Sequence, residues 1–276
     1  MDKGLPIRSI CRALDIIKIV NRLRTPSLTE IAKAAGLPYP TAFRIVQTLI
    51  HEGVIEQEPF RKRYRATELV KTLSSGFQED DRLSANAEQA MHDFTAKYLW
   101  PVALVVRVGS LMMVKHSTHQ LTSQTLTTYY PGHSVPLLDS ASGRAYLAFC
   151  NLDEREIVTQ GLASRSSPKT EMSLQILTEG GLLEQIRRQG YAESIRSQFN
   201  HTPGKTSALA VPVLSDGELV ACLSLIFFDR AMPIADAVDN LLAPLQDLAS
   251  QIIETSPGKD VANTSENRAE NRSAKA

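Results

Sequence analysis

Residues 27–52 read SLTEIAKAAGLPYPTAFRIVQTLIHE, two short helical segments joined by a tight turn. Ser27-Leu28-Thr29-Glu30 is a capping box: the Ser27 oxygen takes a free backbone N–H and Glu30 reaches back to the cap. Leu28, Ile31, Ala32 and Ala35 recur at helical spacing and make one face apolar. Gly36 stands where a left-handed residue ends a helix, Leu37-Pro38-Tyr39 forms the turn, and Pro40 suits a first helical position. In the second segment Ala42, Ile45, Val46 and Leu49 form a stripe facing the core. Pro40, Arg44, Gln47 and His51 face outward, flanked by Thr41 and Thr48. An apolar back with a polar, uncharged-to-basic front is what a helix needs to lie in a DNA major groove. An ordinary helical hairpin would share the two-helix pattern, so the residues that follow decide between the two.

Glu52-Gly53 closes the second segment. Val54-Ile55-Glu56 reads as a strand, Tyr64-Arg65-Ala66 as its partner, and the tip between them carries Arg61, Lys62 and Arg63. Two helices followed directly by a basic-tipped hairpin describe a winged helix-turn-helix, in which the second helix reads bases and the wing holds phosphate. Upstream, Ser9 is expected to cap a supporting helix reaching about Arg22, with Ile10, Ala13, Leu14, Ile17 and Val20 buried.

At 276 residues the chain has room for one large domain or two ordinary ones. No run approaches the length of a membrane span, and the opening Met1-Asp2-Lys3-Gly4-Leu5-Pro6 has no apolar stretch of signal-peptide type. Cys11, Cys150 and Cys222 lack metal-ligand spacing and read as buried hydrophobes in a reducing cytoplasm. The net charge is zero, but it is unevenly spread. Residues 1–75 hold 13 basic and 7 acidic residues, leaving 17 and 23 of the chain's 30 and 30 for the remainder. A basic head on an acidic body suggests a polyanion partner for the head alone.

The chain therefore divides into a DNA-binding domain over 1–67, a linker over 68–82, a second domain over 83–255, to which the resemblance given below assigns effector binding and oligomerisation, and a disordered tail over 256–276. Within the larger domain a helix is expected from Leu83 to Tyr98, then strands over Val102–Val108 and Leu111–Lys115. A third strand is expected over Ser123–Tyr129, a Pro/Gly loop over 130–138 and a helix ending at Phe149. Helices over Asp153–Leu162 and Leu174–Gln189, an edge strand at Tyr191–Ser194, a hairpin over 207–228 and a last helix from Ile234 complete it. The fold class is α+β, with an antiparallel sheet flanked by helices.

The order of these pieces carries a resemblance. After Leu-Pro-x-x-Thr-x-x-Arg in the turn and second helix come Val-Pro-Leu-x-x-x-Ala-Ser-Gly-Arg-Ala-Tyr-Leu-Ala-Phe at 135–149, then Arg-Gln-Gly-Tyr-Ala at 188–192. Ala-Leu-Ala-Val-Pro-Val at 208–213 and Cys-Leu-Ser at 222–224 follow. From Arg8 to Ile253 the chain resembles an IclR-type transcriptional regulator. Leu99-Trp-Pro101, Leu-Ala-Phe-Cys150 and the segment Ala231–Ile234 look like the branch that activates hydroxyphenylpropionate and related aromatic-acid catabolism. The resemblance implies a GAF-like effector domain, homodimers or dimers of dimers, and palindromic promoter sites in double-stranded DNA. It implies no catalytic residues, no metal and no cofactor.

Carried onto this chain, the family's DNA contacts fall at Tyr39, Pro40, Thr41 and Arg44, with Gln47 one turn on. The family's usual residue at position 40 is a small hydroxyl, so Pro40 departs from the pattern. Arg44 suits a bidentate contact with guanine and Gln47 one with adenine, while Arg61, Lys62 and Arg63 suit phosphate. The effector positions fall at Ala141 and Ser142, Thr206 and Ala208, and Ser224 and Ile226, with Arg196 at the pocket mouth and Tyr130 and His133 as lesser candidates. Backbone N–H groups at the start of the 141–149 helix suit a carboxylate. Members that bind small keto acids carry a hydroxyl at the position of Ile226, so isoleucine here favours a larger aromatic acid.

His116 and His119 lack a third metal ligand. Ser142 with His133 and Asp139 lacks the strand–turn–helix context of a nucleophile elbow. The expected function is a cytoplasmic, homo-oligomeric, ligand-responsive transcription factor, with DNA as its partner, RNA polymerase as a further candidate partner and no membrane partner. The alternatives are a DNA binder that senses nothing and a small-molecule enzyme fused to a helix-turn-helix.

Overall fold

A computed structural model of the chain describes residues 7–73, 81–125, 129–164, 168–194 and 206–254, with backbone alone at 81–86 and 168–169. It divides into two compact units, 1–79 and 80–276, the division falling inside the stretch read as a linker.

In the first unit, α1 (Arg8–Leu23), α2 (Leu28–Ala35) and α3 (Tyr39–His51) precede a two-stranded wing, β1 (Ile55–Gln57) and β2 (Tyr64–Ala66), and a short α4 (Leu69–Thr72). The capping box forms as the sequence requires. Ser27 N–H donates to Glu30 Oε2 at 2.7 Å, and Glu30 N–H donates to Ser27 Oγ at 3.3 Å. Gly36 ends α2 at φ 62°, and its N–H bonds the last carbonyls of the helix. Ile16, Ile19 and Val20 from α1 meet Leu28 and Ile31 from α2, Ala42, Val46 and Leu49 from α3, and Ile55 and Tyr64 from the wing in one buried core.

The supporting helix differs from expectation in start and in phase. Ile7, not Ser9, is its N-cap, and no side chain caps it. Ile10 and Leu14, expected inside, are 54% and 52% exposed. Helix α1 carries apolar residues on two adjacent rows, and periodicity cannot say which row meets α2 and α3. Cys11 also lies exposed on this helix, whereas Cys150 and Cys222 are buried as expected. Strand β1 starts one residue later than expected, because Val54 N–H turns back to Leu49 O at 2.9 Å.

The second unit is a six-stranded antiparallel sheet ordered β5-β4-β3-β8-β7-β6. Its strands are β3 (Val102–Val108), β4 (Leu111–Ser117), β5 (Ser134–Pro136), β6 (Ala192–Ser194), β7 (Thr206–Ser215) and β8 (Glu218–Phe228). Side chains alternate between its faces. Leu104, Leu209, Val211, Leu223 and Leu225 point to one face, under α5 (Asp81–Tyr98) and α10 (Ile234–Glu254). Ala103, Val105, Ala210, Cys222 and Ile226 point to the other, under α6 (Ala141–Phe149) and α9 (Leu182–Gln189), with α7 (Leu152–Ala163) and α8 (Pro168–Thr178) outside them. Among the described residues no helix is long and apolar enough to cross a membrane.

Two expectations in this unit fail for identifiable reasons. The single helix read over Leu174–Gln189 is two helices, α8 and α9, separated at Gly180-Gly181. Gly181 sits at φ 68°, a left-handed conformation that an apolar-pattern reading passes over. The strand expected over Ser123–Tyr129 is absent where the chain is described: Ser123–Thr125 form bends, Tyr129 is irregular, and 126–128 lie outside the described residues. The strand that pairs with β4 is β5, inside the Pro/Gly loop. Pro136 is tolerated there because β5 is the sheet's edge.

Candidate functional site

Each unit presents one candidate surface. In the first, α3 turns Tyr39, Pro40, Arg44 and Gln47 to solvent, with Thr41 half-buried beside them. Thr48 Oγ donates to Arg44 O at 3.0 Å, which occupies the Thr48 hydroxyl proton. Thr41, Arg44 and Gln47 also line a groove together with Arg8, Ser9 and Arg12 of α1, residues that sequence reasoning had assigned only a supporting role.

The structure separates the three basic residues of the wing. Arg61 and Lys62 are exposed at the turn, beside a fully exposed Phe60. Arg63 turns back: its Nη1 donates to Thr25 O at 2.6 Å and stands 3.5 Å from Glu30 Oε2. An isolated antiparallel bridge joins Arg63 to Ser27. Arg63 thus fastens the wing to the start of α2 through Nη1 of its guanidinium. Hydrogen bonds from the Ser27 N–H and hydroxyl, followed by the Arg63 charge, hold Glu30 below the usual carboxylate range.

In the second unit the start of α6, the 129–136 segment and one face of the sheet enclose a cavity of about 210 Å³. Six of the predicted effector residues line it: Ala141, Ser142, Thr206, Ala208, Ser224 and Ile226. Arg196 lies outside the described residues. The cavity exists because small side chains stand side by side on the sheet. Ser224 pairs across the strands with Ala103 on one side and Ala210 on the other, and Ala208 pairs with Ile226. A larger residue at 103 or 208 would fill the space.

The helix wall is shaped by Ser140, one residue before the expected position. Its hydroxyl caps α6 by accepting from Gly143 N–H at 3.1 Å. The N–H groups of Ala141 and Ser142, in the first turn, have no carbonyl in their own helix to reach. Gly143 is required by close approach, since a Cβ there would come within 1.8 Å of Leu137 O. Arg144 fixes the same loop: it donates to Leu138 O at 3.3 Å and Glu193 O at 3.1 Å. Burial pushes its pKa down, against the pull of Asp139 and Glu193.

Sequence reasoning missed Tyr129 and the apolar walls Val105, Val114 and Val135. Tyr129 OH lies 3.2 Å from Thr206 Oγ, and burial raises its pKa. His133 lines the cavity and stacks edge-on against both Tyr129 and Tyr130, with centroids 5.7 and 5.5 Å away. Ser142, His133 and Asp139 do share this cavity. The Ser142 hydroxyl, however, lies 3.4 Å from Ser140 Oγ, a hydroxyl that cannot serve as an activating base. Among the described residues no three metal-capable side chains converge.

The IclR helix-turn-helix domain family matches residues 9–59, and the C-terminal domain family of the bacterial transcriptional regulator IclR matches residues 82–254. The chain belongs to the IclR family of transcriptional regulators. It is a DNA-binding regulator of transcription, and the winged unit is its DNA-binding part. The IclR-type chain is 26% identical over 223 residues to the HTH-type transcriptional regulator BhcR of Paracoccus denitrificans (strain Pd 1222), covering 79% of this chain and 76% of that protein. Solved structures share its fold. An IclR family transcriptional regulator from Brucella abortus superposes with a TM-score of 0.61 at 20% identity, over 93% of this chain and 97% of the other. An IclR homologue from Microbacterium hydrocarbonoxydans, crystallised with 4-hydroxybenzoate, superposes with a TM-score of 0.62 at 22% identity, over 90% and 98%.

Proposed function

We propose that this IclR-family regulator senses a small aromatic carboxylate in the cavity of its second unit and controls an aromatic-acid catabolic operon in response. The observation that carries the reading is the pairing of an apolar, ring-sized cavity with a helix N-terminus in its wall. A cavity of about 150 Å³ with apolar walls accepts a benzene ring, and the space here is about 210 Å³. Val105, Val114, Val135 and Ile226 would flank a ring, while the Ala141 and Ser142 N–H groups and the Ser142 hydroxyl would take a carboxylate. Ser224, Thr206 and Tyr129 offer hydroxyls to a ring substituent. 4-Hydroxybenzoate, held by the Microbacterium homologue, is one member of the ligand class.

On the DNA side, Arg44 and Gln47 would read base edges, with Tyr39, Pro40 and Thr41 against the backbone and Arg61 and Lys62 on phosphate. The protein would act in the cytoplasm as a homo-oligomer on a palindromic promoter site, since paired recognition helices require paired half-sites. Contact with RNA polymerase would belong to that assembly.

A thermal-shift panel of benzoates, phenylpropionates and short keto acids tests the sensing claim, because a ligand that binds only the folded state raises its melting temperature. The expected result is a selective rise with one or more aromatic acids. A rise confined to two- and three-carbon keto acids would overturn the reading of Ile226, and no rise across the panel would overturn the aromatic class.

A further inference from the structure

The groove beside α3 is built from two helices, and the second contributes charge. Arg8 and Arg12 stand four residues apart on α1, so both lie on one face, about 6 Å apart along the axis. Both are exposed, and both line the groove with Thr41, Arg44, Gln47 and Thr48. No acidic residue lines that groove. Four other cations of the unit are balanced at close range: Lys18 by Asp15, Arg63 by Glu30, Arg65 by Glu56 and Lys71 by Glu68. Among the described residues no carboxylate stands within ion-pair distance of Arg8, Arg12 or Arg44. Three guanidiniums around one groove repel each other unless an anion is supplied from outside the protein.

We propose that the first two turns of α1 form part of the DNA interface, with Arg8 and Arg12 each taking a phosphate of the strand that borders the groove entered by α3. This rests on α3 lying in the major groove. A helix seated there is bordered by phosphates, and an adjoining pair of exposed arginines reaches them without touching a base. The wing is fastened at the start of α2 through Arg63, so its Arg61 and Lys62 approach the backbone from a different element. Arg8 and Arg12 therefore add affinity that is independent of sequence.

The test is the salt dependence of binding by the full chain to a mixed-sequence duplex of about 30 base pairs, chosen because non-specific binding is almost wholly phosphate contact. Each lost phosphate contact lowers the slope of log K against log salt by about 0.9. The R8Q/R12Q double variant is expected to lower its magnitude by about 1.8 for each bound protomer, while Lys18→Gln, which removes a charge from the same helix outside the groove, leaves it unchanged. R8K/R12K is expected to keep the slope. A double variant that melts like wild type and keeps the wild-type slope overturns the proposal, as does an equal loss from Lys18→Gln. Wild-type protein that binds the duplex with no salt dependence overturns the underlying DNA reading instead.

Discussion

Arg63 shows how a single residue's role depends on what lies beside it in space. The two residues before it in sequence are basic and exposed, yet its Nη1 reaches back to Thr25 O and Glu30. Arg63→Gln is therefore expected to lower the melting temperature of the DNA-binding unit while leaving the salt slope of DNA binding unchanged. Arg61→Gln is expected to do the reverse, reducing the slope by about 0.9. Calorimetry and salt titration on the two variants separate the roles. Glu30, at the other end of the same contact, gives a pH signature. Its carboxyl is held below the ordinary value of 4.5, chiefly by the Ser27 backbone N–H and hydroxyl. A depressed carboxylate contributes stability that is fully present above about pH 4.5 and is lost as pH falls through the lower folded value. Ser27→Ala is expected to cost about 1 kcal/mol at neutral pH and to flatten the acid limb of the melting profile. An acid limb identical to wild type would assign that pH dependence to other groups.

Among the elements, those governed by local chemistry were legible and those governed by choice of partner were not. The Ser27–Glu30 box, Gly36, the Gly109-Ser110 turn and the Asp216-Gly217 turn each encode a geometry within a few residues, and each element they bound lies where the sequence placed it, give or take a residue or two. Helix α1 has two apolar rows, and only packing against α2 and α3 decides which row is buried. The break between α8 and α9 depends on a left-handed glycine inside an otherwise helical pattern. The short edge strand β5 owes its existence to β4 rather than to its own sequence. The cavity positions came from the family resemblance, to which strand alternation adds that Ser224 and Ile226 share one face. Its walls at Val105, Val114 and Tyr129 come from elements distant in the chain, which spacing cannot connect. The cross-strand pair Ala208 and Ile226 gives an element-scale prediction. Ala208→Leu would project an isobutyl group into the cavity. It is expected to abolish the ligand-induced thermal shift while leaving the ligand-free protein able to bind the duplex. A retained thermal shift would place the ligand elsewhere.

For the whole molecule, the uneven charge and the two compact units agree with a head that meets DNA and, on the proposed function, a body that meets a small acid. Regulation requires that these two events be coupled, and coupling is a free energy shared by both ligands. An acid that merely fills a cavity, with equal affinity for every arrangement of the protein, would change nothing at the DNA. The most direct measurement is the affinity of the full-length protein for a duplex selected from a random pool, with and without the aromatic acid that raises its melting temperature most. The account predicts a change of about 5- to 150-fold, corresponding to a coupling of about 1–3 kcal/mol, with the same factor appearing in the acid's affinity when DNA is bound. An acid that binds the protein yet leaves DNA affinity unchanged would contradict it.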